Sequence, residues 1–204
     1  MLADHSKPKT LRSILEHNCI PTEELLRDFE NAARLKRYKK DEVVVRQGKV
    51  CSDFVINRVG LFRVSCELDA REDTLLFGTS GDIFTSLHSF YAQEPSVFSL
   101  IAVEDSEAWL VSYADMEHLM EKHPELLNWM NHLLVEQLYG LEKRYMFFYN
   151  KSAEERLNNF ILKNSVSLRD KSVKHILSTV PLKYIAQYLK ITQSTLSRLR
   201  AKMK

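Results

Sequence analysis

The sequence predicts an α+β fold in which a β-roll or sandwich is followed by a long helix and a C-terminal helix-turn-helix. Three observations support this order. Short β-type runs fill residues 41–112, an apolar repeat that averages 3.5 residues runs from residue 127 to residue 148, and two amphipathic segments flank a break at residues 190–192. Period-two runs indicate strands, and a repeat of 3.5 indicates a helix with an apolar seam.

Residues 11–38 show a helical pattern in two pieces that separate near Pro21. In the second piece Leu25, Leu26, Phe29 and Ala33 share one face, which is typical of an amphipathic helix. We therefore expect helix up to residue 38, leading into the strand region.

The strand region contains six β-type runs separated by turn residues, at residues 43–45, 54–56, 61–64, 74–77, 97–103 and 108–111. Between them lie Gly48, Gly60, Gly78 and Gly81, where a positive φ is often needed. This pattern indicates a sandwich or roll. Residues 88–96 are expected to form its longest irregular segment.

Helical periodicity returns over residues 114–122 and from residue 124 to about residue 149. The second helix carries the apolar seam, made of Leu127, Met130, Leu134, Leu138, Leu141, Tyr145 and Phe148. Such a seam predicts a two-fold dimer. The alternative is a helix buried on its own β-domain, and Trp129, Leu133 and Tyr139 lie off the seam, so part of it is expected to pack within the chain. Residues 150–152 are predicted to be a hinge, and a helix over residues 153–164 opens the last module.

The helix-turn-helix is predicted over residues 181–204. In its first helix, which Pro181 can begin, Leu182, Ile185, Ala186 and Leu189 fall at i, i+3, i+4 and i+7 and form one apolar stripe. The linker at residues 190–192 is long enough only for a tight turn, which is the helix-turn-helix signature.

In the second helix of this motif, Thr192 is expected to cap the amides of Ser194 and Thr195. The inward face is predicted to consist of Ile191, Leu196, Leu199 and Met203. Four polar side chains then point outward, namely Gln193, Ser194, Ser197 and Arg198. Such a face suits the major groove of DNA, where Arg pairs with guanine and Gln with adenine; the simpler interpretation is a solvated surface.

Charge supports the first interpretation. Residues 151–204 hold 12 Lys and Arg against 3 Asp and Glu, whereas residues 1–150 hold 17 against 24. A basic module attracts phosphate backbones. We expect domain limits at 1–122 for the sensor, 123–150 for the dimer helix and 151–204 for the DNA-binding part.

Other classes receive less support from the sequence. No stretch reaches the length of a membrane span, and the start of the chain is polar, so a cytoplasmic protein is expected. Cys19, Cys51 and Cys66 are odd in number and widely spaced, which favours reduced thiols, with no cofactor expected. A cupin-type metalloenzyme needs several histidines in the roll, where only His88 lies, so we expect no enzyme and no metal.

The element order, together with the sequence stretches RQGKVCSDFVINRVGLFRV at 46–64, GDIFTSLHSF at 81–90 and residues 192–198, resembles the Crp/Fnr family of bacterial transcription regulators. The stretch VPLKYIAQYLKIT is similar to a subgroup common in Bacteroidetes-type bacteria. The resemblance implies a cyclic-nucleotide-binding-like jelly roll (a double-stranded β-helix) and a winged-helix-like helix-turn-helix. It also implies a homodimer on palindromic double-stranded DNA, with RNA polymerase as a further partner.

The resemblance further implies an effector pocket. Family members that bind cyclic nucleotides carry a Glu for the ribose and an Arg for the phosphate, and the matching positions here are Ser86 and Ser96. Because a buried phosphate without a cationic partner is disfavoured, we expect no cyclic AMP binding and a largely apolar or neutral ligand, if any. The candidate pocket residues are Phe84, Ser86, Leu87, His88, Ser96 and Phe98.

Two departures concern the DNA-binding module. Ser194 stands where well-studied members have Glu, so the preferred operator should differ from theirs. Lys190 stands where many such turns have Gly, and a left-handed conformation there would cost roughly 1 kcal/mol. No hairpin wing is expected after the second helix. The expected DNA contacts are Thr192, Gln193, Ser194, Thr195, Ser197, Arg198, Lys202 and Lys183. The alternative is a small-ligand or protein-interaction module whose basic tail binds no specific DNA sequence.

Overall fold

The computed structural model describes residues 10–16, 21–69, 71–166 and 180–202. Its strands are β1 (Arg34–Tyr38), β2 (Val43–Val45), β3 (Asp53–Val59), β4 (Phe62–Leu68), β5 (Arg71–Gly78), β6 (Ser99–Ala102) and β7 (Ser106–Ser112). Its helices are α1 (Leu11–Leu15), α2 (Glu23–Ala32), α3 (Leu87–Ala92), α4 (Tyr113–Lys122), α5 (Glu125–Asn150), α6 (Ala153–Val166), α7 (Leu182–Leu189) and α8 (Gln193–Lys202).

The strands form two antiparallel sheets that make a jelly roll, called the roll below. One sheet has the order β1-β7-β3 and the other β2-β6-β4-β5. Alternation along β3 shows how one strand serves two layers. Phe54 and Ile56 face the helices, whereas Val55 faces the space between the sheets. The predicted α+β class and jelly roll are confirmed.

Three apolar clusters hold the described residues together. The first packs α1, α2, α4 and the start of α5 on the three-stranded sheet, around the fully buried Phe29, Phe54 and Trp129. A second fills the roll between its two sheets. The third joins the outer surface of the roll to α6, α7 and α8. Each cluster buries one face of a sheet or helix, which is the main driving force for its formation.

The six predicted strand runs are all confirmed, but two predictions between elements are wrong. Arg34–Tyr38 was expected to be helical and is strand β1, paired along its whole length with β7. Residues 88–96 were expected to be irregular, yet most of α3 lies there. Both errors occur where long-range contacts, rather than local periodicity, decide the conformation.

Helix α5 changes its environment halfway along its length. Leu126, Trp129, Met130 and Leu133 are buried in the first cluster, which places Met130 in the core of its own chain instead of on the expected seam. Trp129 and Leu133 pack within the chain as expected, but Tyr139 is half exposed. Five other seam residues remain exposed, namely Leu127, Leu134, Leu138, Leu141 and Tyr145. No described helix is long and apolar enough to span a membrane.

Candidate nucleic-acid interface

Helices α7 and α8 form the predicted helix-turn-helix, and Lys190 makes the turn between them. Its φ of 54° and ψ of 47° place it in the left-handed region, as predicted. The turn is closed by two backbone bonds, from Lys190 N to the Gln187 carbonyl (3.0 Å) and from Ile191 N to the Ala186 carbonyl (3.0 Å). Helix ends are commonly terminated by a residue in this conformation.

The start of α8 is capped by Thr192. Its Oγ1 accepts a hydrogen bond from the Thr195 amide (3.1 Å), which confirms half of the predicted cap. For Ser194 the hydroxyl, rather than the amide, lies 2.9 Å from the Thr192 Oγ1. The Thr192 hydroxyl also donates to the Thr195 hydroxyl (2.9 Å). These bonds order the hydroxyl groups at the front of the helix.

The two faces of α8 are cleanly divided. Leu196 and Leu199 are buried against α6 and α7. The four expected outward residues are exposed, namely Gln193, Ser194, Ser197 and Arg198. Thr192, Lys202 and Lys183 are exposed as well, and Thr195 is half-buried. Met203, expected on the inward face, lies outside the described residues.

Polar contacts tie α7 to the edge of the roll, which the sequence did not predict. Gln187 Nε2 donates to the Glu72 carbonyl (2.5 Å), and the Thr74 hydroxyl donates to Gln187 Oε1 (2.8 Å). Lys190 Nζ lies 3.0 Å from Asp73 Oδ2. All three partners belong to β5, so the helix-turn-helix is held on one edge of the four-stranded sheet.

Aromatic and cationic side chains reinforce this junction. The Tyr188 ring contacts Phe77 of the roll (5.5 Å between centroids) and Phe160 of α6 (5.3 Å). The Arg144 guanidinium of α5 lies 4.6 Å from the same ring, and its burial lowers its pKa. Roll, α5, α6 and α7 therefore all meet at Tyr188. Tyr184, Gln187 and Tyr188 form a second stripe on α7, and their spacing is the sequence signal from which this junction could have been predicted.

Two arginines, the buried Arg63 and the half-buried Arg156, complete the junction. Arg63 of β4 pairs with Glu72 (2.6 Å) and lies over the Tyr184 ring (4.0 Å). Arg156 of α6 donates to the Leu189 carbonyl (2.8 Å) at the end of α7. A cation at a helix C-terminus is favourable because the carbonyl groups there carry partial negative charge.

The candidate effector residues do not converge on one site. Phe84 is buried between the sheets, where its ring occupies the space that a Cβ at Gly78 would need, and Phe98 packs beside the same cluster. Leu87 packs against the helical cluster instead. His88 is exposed and pairs with Glu94 (3.0 Å).

The two serines predicted to stand at the positions of the ionic anchors are also engaged locally. Ser86 is buried, and its carbonyl accepts a bond from the Phe90 amide (2.7 Å). The Ser96 hydroxyl donates to the Phe98 carbonyl (2.8 Å). Cys51 and Cys66 are free thiols, and Cys19 lies outside the described residues. The described part of the chain contains no group of three or more His, Cys, Asp or Glu side chains that could hold a metal ion.

This arrangement can be compared with known proteins. Residues 35–123 match the family model of the cyclic nucleotide-binding domain. The match covers most of β1, the strands β2 to β7 and the helices α3 and α4, so the predicted cyclic-nucleotide-binding-like roll is confirmed by sequence as well as by shape.

Other proteins are similar to this chain over most of its length. The nitrogen fixation regulation protein FixK of Bradyrhizobium diazoefficiens is 26% identical over 187 residues, which cover 87% of this chain and 75% of that protein. The structure of FixK2 from Bradyrhizobium japonicum has a TM-score of 0.72 at 19% identity and covers 84% of each chain. The global regulator CLP of Xanthomonas campestris has a TM-score of 0.72 at 17% identity and covers 89% of this chain and 91% of its own. At these identities the two structures support the fold.

The left-handed turn can be tested by comparing Lys190→Ala with Lys190→Gly. Both substitutions remove the ammonium group that contacts Asp73, so their difference reports the backbone conformation. We expect the Gly variant to be more stable by roughly 1 kcal/mol in urea unfolding, because only Ala carries a Cβ. At Ser197, in the middle of α8, the same pair should show the opposite order by roughly 1 kcal/mol. An Ala variant at Lys190 as stable as the Gly variant would contradict the assignment.

Proposed function

We propose that this protein is a sequence-specific DNA-binding transcription regulator. The observation that carries the proposal is the exposed polar face of α8, whose opposite side is anchored by Leu196 and Leu199. A capped helix with its polar front turned outward fits the major groove. The excess of 12 basic over 3 acidic residues in residues 151–204 favours phosphate contact, and FixK is itself a regulation protein. DNA as a partner implies a cytoplasmic location, with RNA polymerase as a further contact.

The side chains of α8 divide into two roles in this proposal. Arg198 and Gln193 have the planar groups that recognise guanine and adenine, and Ser197 lies between them. Thr192, Ser194 and Thr195 surround the helix N-terminus, where backbone amides favour a phosphate. Lys183 and Lys202 carry compact charges without a planar fork, which suits them to phosphates as well.

Arg198→Ala separates base reading from charge attraction. On the preferred operator, obtained by in vitro selection, it should cost roughly 1 to 3 kcal/mol per half-site and leave binding to a scrambled duplex nearly unchanged. Lys202→Ala is the matched control: it should weaken both duplexes alike and lower the salt slope by about one per half-site. Competitive binding over a salt series measures both. Equal weakening of the two duplexes by Arg198→Ala would leave only a module with a non-specific basic tail.

We also propose that the protein is a homodimer through α5. The observation in support is the row of exposed apolar seam residues, with Leu134 46%, Leu138 58% and Leu141 58% exposed. A contiguous exposed apolar row of this kind commonly marks a surface that contacts another protein. A two-fold dimer would present two reading helices to a palindromic site. We accordingly propose the domain limits 1–122 for the sensor, 123–150 for the dimer helix and 151–204 for the DNA-binding part.

The double variant Leu134→Asp, Leu141→Asp should be monomeric in sedimentation experiments, because it would place like charges near the dimer axis. The control introduces the same residue on a different face, as His132→Asp with Tyr139→Asp, and should remain dimeric. Circular dichroism should show unchanged helix content in both. A dimer that persists in the first variant would place the interface elsewhere.

The effector domain is proposed to have lost cyclic nucleotide binding. Ser86 and Ser96, which the sequence comparison assigns to the two anchor positions, are buried and uncharged, and the buried guanidinium of Arg63 is already paired with Glu72. A cyclic phosphate would therefore enter the roll without a cationic partner at its usual place.

Calorimetric titration with cyclic AMP and cyclic GMP should show no saturable binding. The Ser86→Glu, Ser96→Arg double variant is the informative comparison, since it restores both anchors. A micromolar Kd for the unmodified protein, about −8 kcal/mol, would contradict the proposal.

A further inference from the structure

A cleft opens between the two sheets of the roll on the side of β1 and β2, and none of the candidate effector residues lines it. Its volume is about 200 Å³. Tyr38 of β1 and Val45 of β2 line it, together with Cys51, Val55 and Leu110. These five side chains belong to the cluster between the sheets, so the cleft reaches the interior of the roll.

The floor of the cleft is mostly apolar, and Asp53, the carboxylate in its lining, is paired with Arg34. Val45, Val55 and Leu110 supply aliphatic surface. Burial raises the pKa of the Tyr38 phenol and of the Cys51 thiol, so both stay protonated at neutral pH. The thiol already donates to the Asp53 carbonyl (3.3 Å). The floor can therefore hold an apolar body beside one hydroxyl group.

The rim carries two cations, Arg46 and Lys49, both exposed. Within the described residues neither head group has a carboxylate at ion-pair distance. Basic residues nearby on the roll are paired: Arg34 with Asp53, Arg37 and Arg58 with Glu107, and Lys39 with Asp105. The rim of the cleft thus has uncompensated positive charge, to which an anionic head group is complementary.

The turn that carries these cations is bonded to the segment before β6. Gly48 N donates to the Ser96 carbonyl (2.8 Å), and Ser96 N donates to the Lys49 carbonyl (2.9 Å). Cys51 N donates to the Ser89 hydroxyl (2.8 Å). Next to Ser89, Phe90 contacts Phe54 (5.9 Å between centroids), and Phe54 contacts Trp129 of α5 (6.1 Å). Contiguous contacts therefore join the cleft to the long helix.

We propose that this cleft binds a small amphipathic carboxylate, with its apolar body on the floor and its carboxylate between Arg46 and Lys49. A cavity of about 150 Å³ is sufficient for benzene, so this cleft accommodates a ring or a short alkyl chain with an acidic arm. The assignment of this cleft as the effector site of a regulator rests on the proposed function, whereas the binding of a carboxylate in the cleft does not depend on it.

The test is calorimetric titration of the full chain with phenylacetate, hexanoate and indole-3-acetate, and with phenylacetamide as the neutral match of the first. We expect at least one carboxylate to bind with a Kd below 1 mM, and phenylacetamide to bind at least ten-fold more weakly than phenylacetate. The Arg46→Gln, Lys49→Gln variant should abolish that difference, whereas Arg27→Gln on α2 should preserve it.

Val44→Phe provides a second, independent variant, since Val44 also lines the cleft and a larger side chain would fill it. It should abolish binding while circular dichroism and urea unfolding show a folded protein. Four results would overturn the proposal: no carboxylate binding below 1 mM, equal binding of the amide, equal binding of inorganic phosphate, or binding that Val44→Phe leaves intact.

The two levels of the proposal fail separately. Operator binding with and without the carboxylate gives the regulatory readout, and we expect the operator Kd to change at least three-fold. If the protein binds the carboxylate but selects no DNA sequence, the proposed regulatory function is wrong and the binding site in the cleft is supported. If the protein selects an operator but binds no carboxylate, the binding site is wrong and the regulatory function is supported.

Discussion

The apolar cluster between the roll and the helix-turn-helix is the contact on which the placement of the reading helix depends. Helices α7 and α8 have 8 and 10 residues. Helices of that length are marginal in water by themselves and need a surface to pack against. Leu61 and Val103 of the roll are buried in the same cluster as Ile185 and Leu189, so the roll supplies part of that surface. The orientation of α8 is consequently tied to the sheet.

The polar contacts around this cluster fix the position of α7 on the roll more than they stabilise it. The ion pair of Lys190 with Asp73 is partly exposed, and such pairs contribute about 0–1 kcal/mol. Gln187 is different because it bonds both a backbone carbonyl and a side-chain hydroxyl of β5, which fixes the register of the helix along the strand. Apolar burial thus holds α7 on the roll, and the hydrogen bonds select one position for it.

Local patterns in the sequence predicted the features that local physics decides. The stripe of α7, the cap at Thr192 and the left-handed turn at Lys190 all depend on residues within one or two helical turns, and all can be read from the chain. The strand Arg34–Tyr38 could not be predicted, because its helix-like pattern is overruled by pairing with β7. Its partner residues lie more than 60 positions away along the chain, as in the pair Tyr38 and Ser106. Met130 fits the exposed seam by spacing, but its neighbours in the core come from other elements. The candidate effector residues scatter for the same reason, since the direction of Leu87 or His88 in a short helix is set by tertiary contacts.

The position of α7 also bears on the solubility of the protein. Strand β5 is the last strand of its sheet, and α7 packs against it. An edge strand with unpaired amides and carbonyls is a template for strand addition by another chain. If the helix-turn-helix were lifted away, the Glu72 carbonyl would lose its partner in α7, and the edge would open to intermolecular β-pairing. The charged residues Arg71, Glu72 and Asp73 on that strand would then be what opposes aggregation. Neutral substitutions at these positions would therefore promote aggregation in any variant designed to release the helix-turn-helix from the roll.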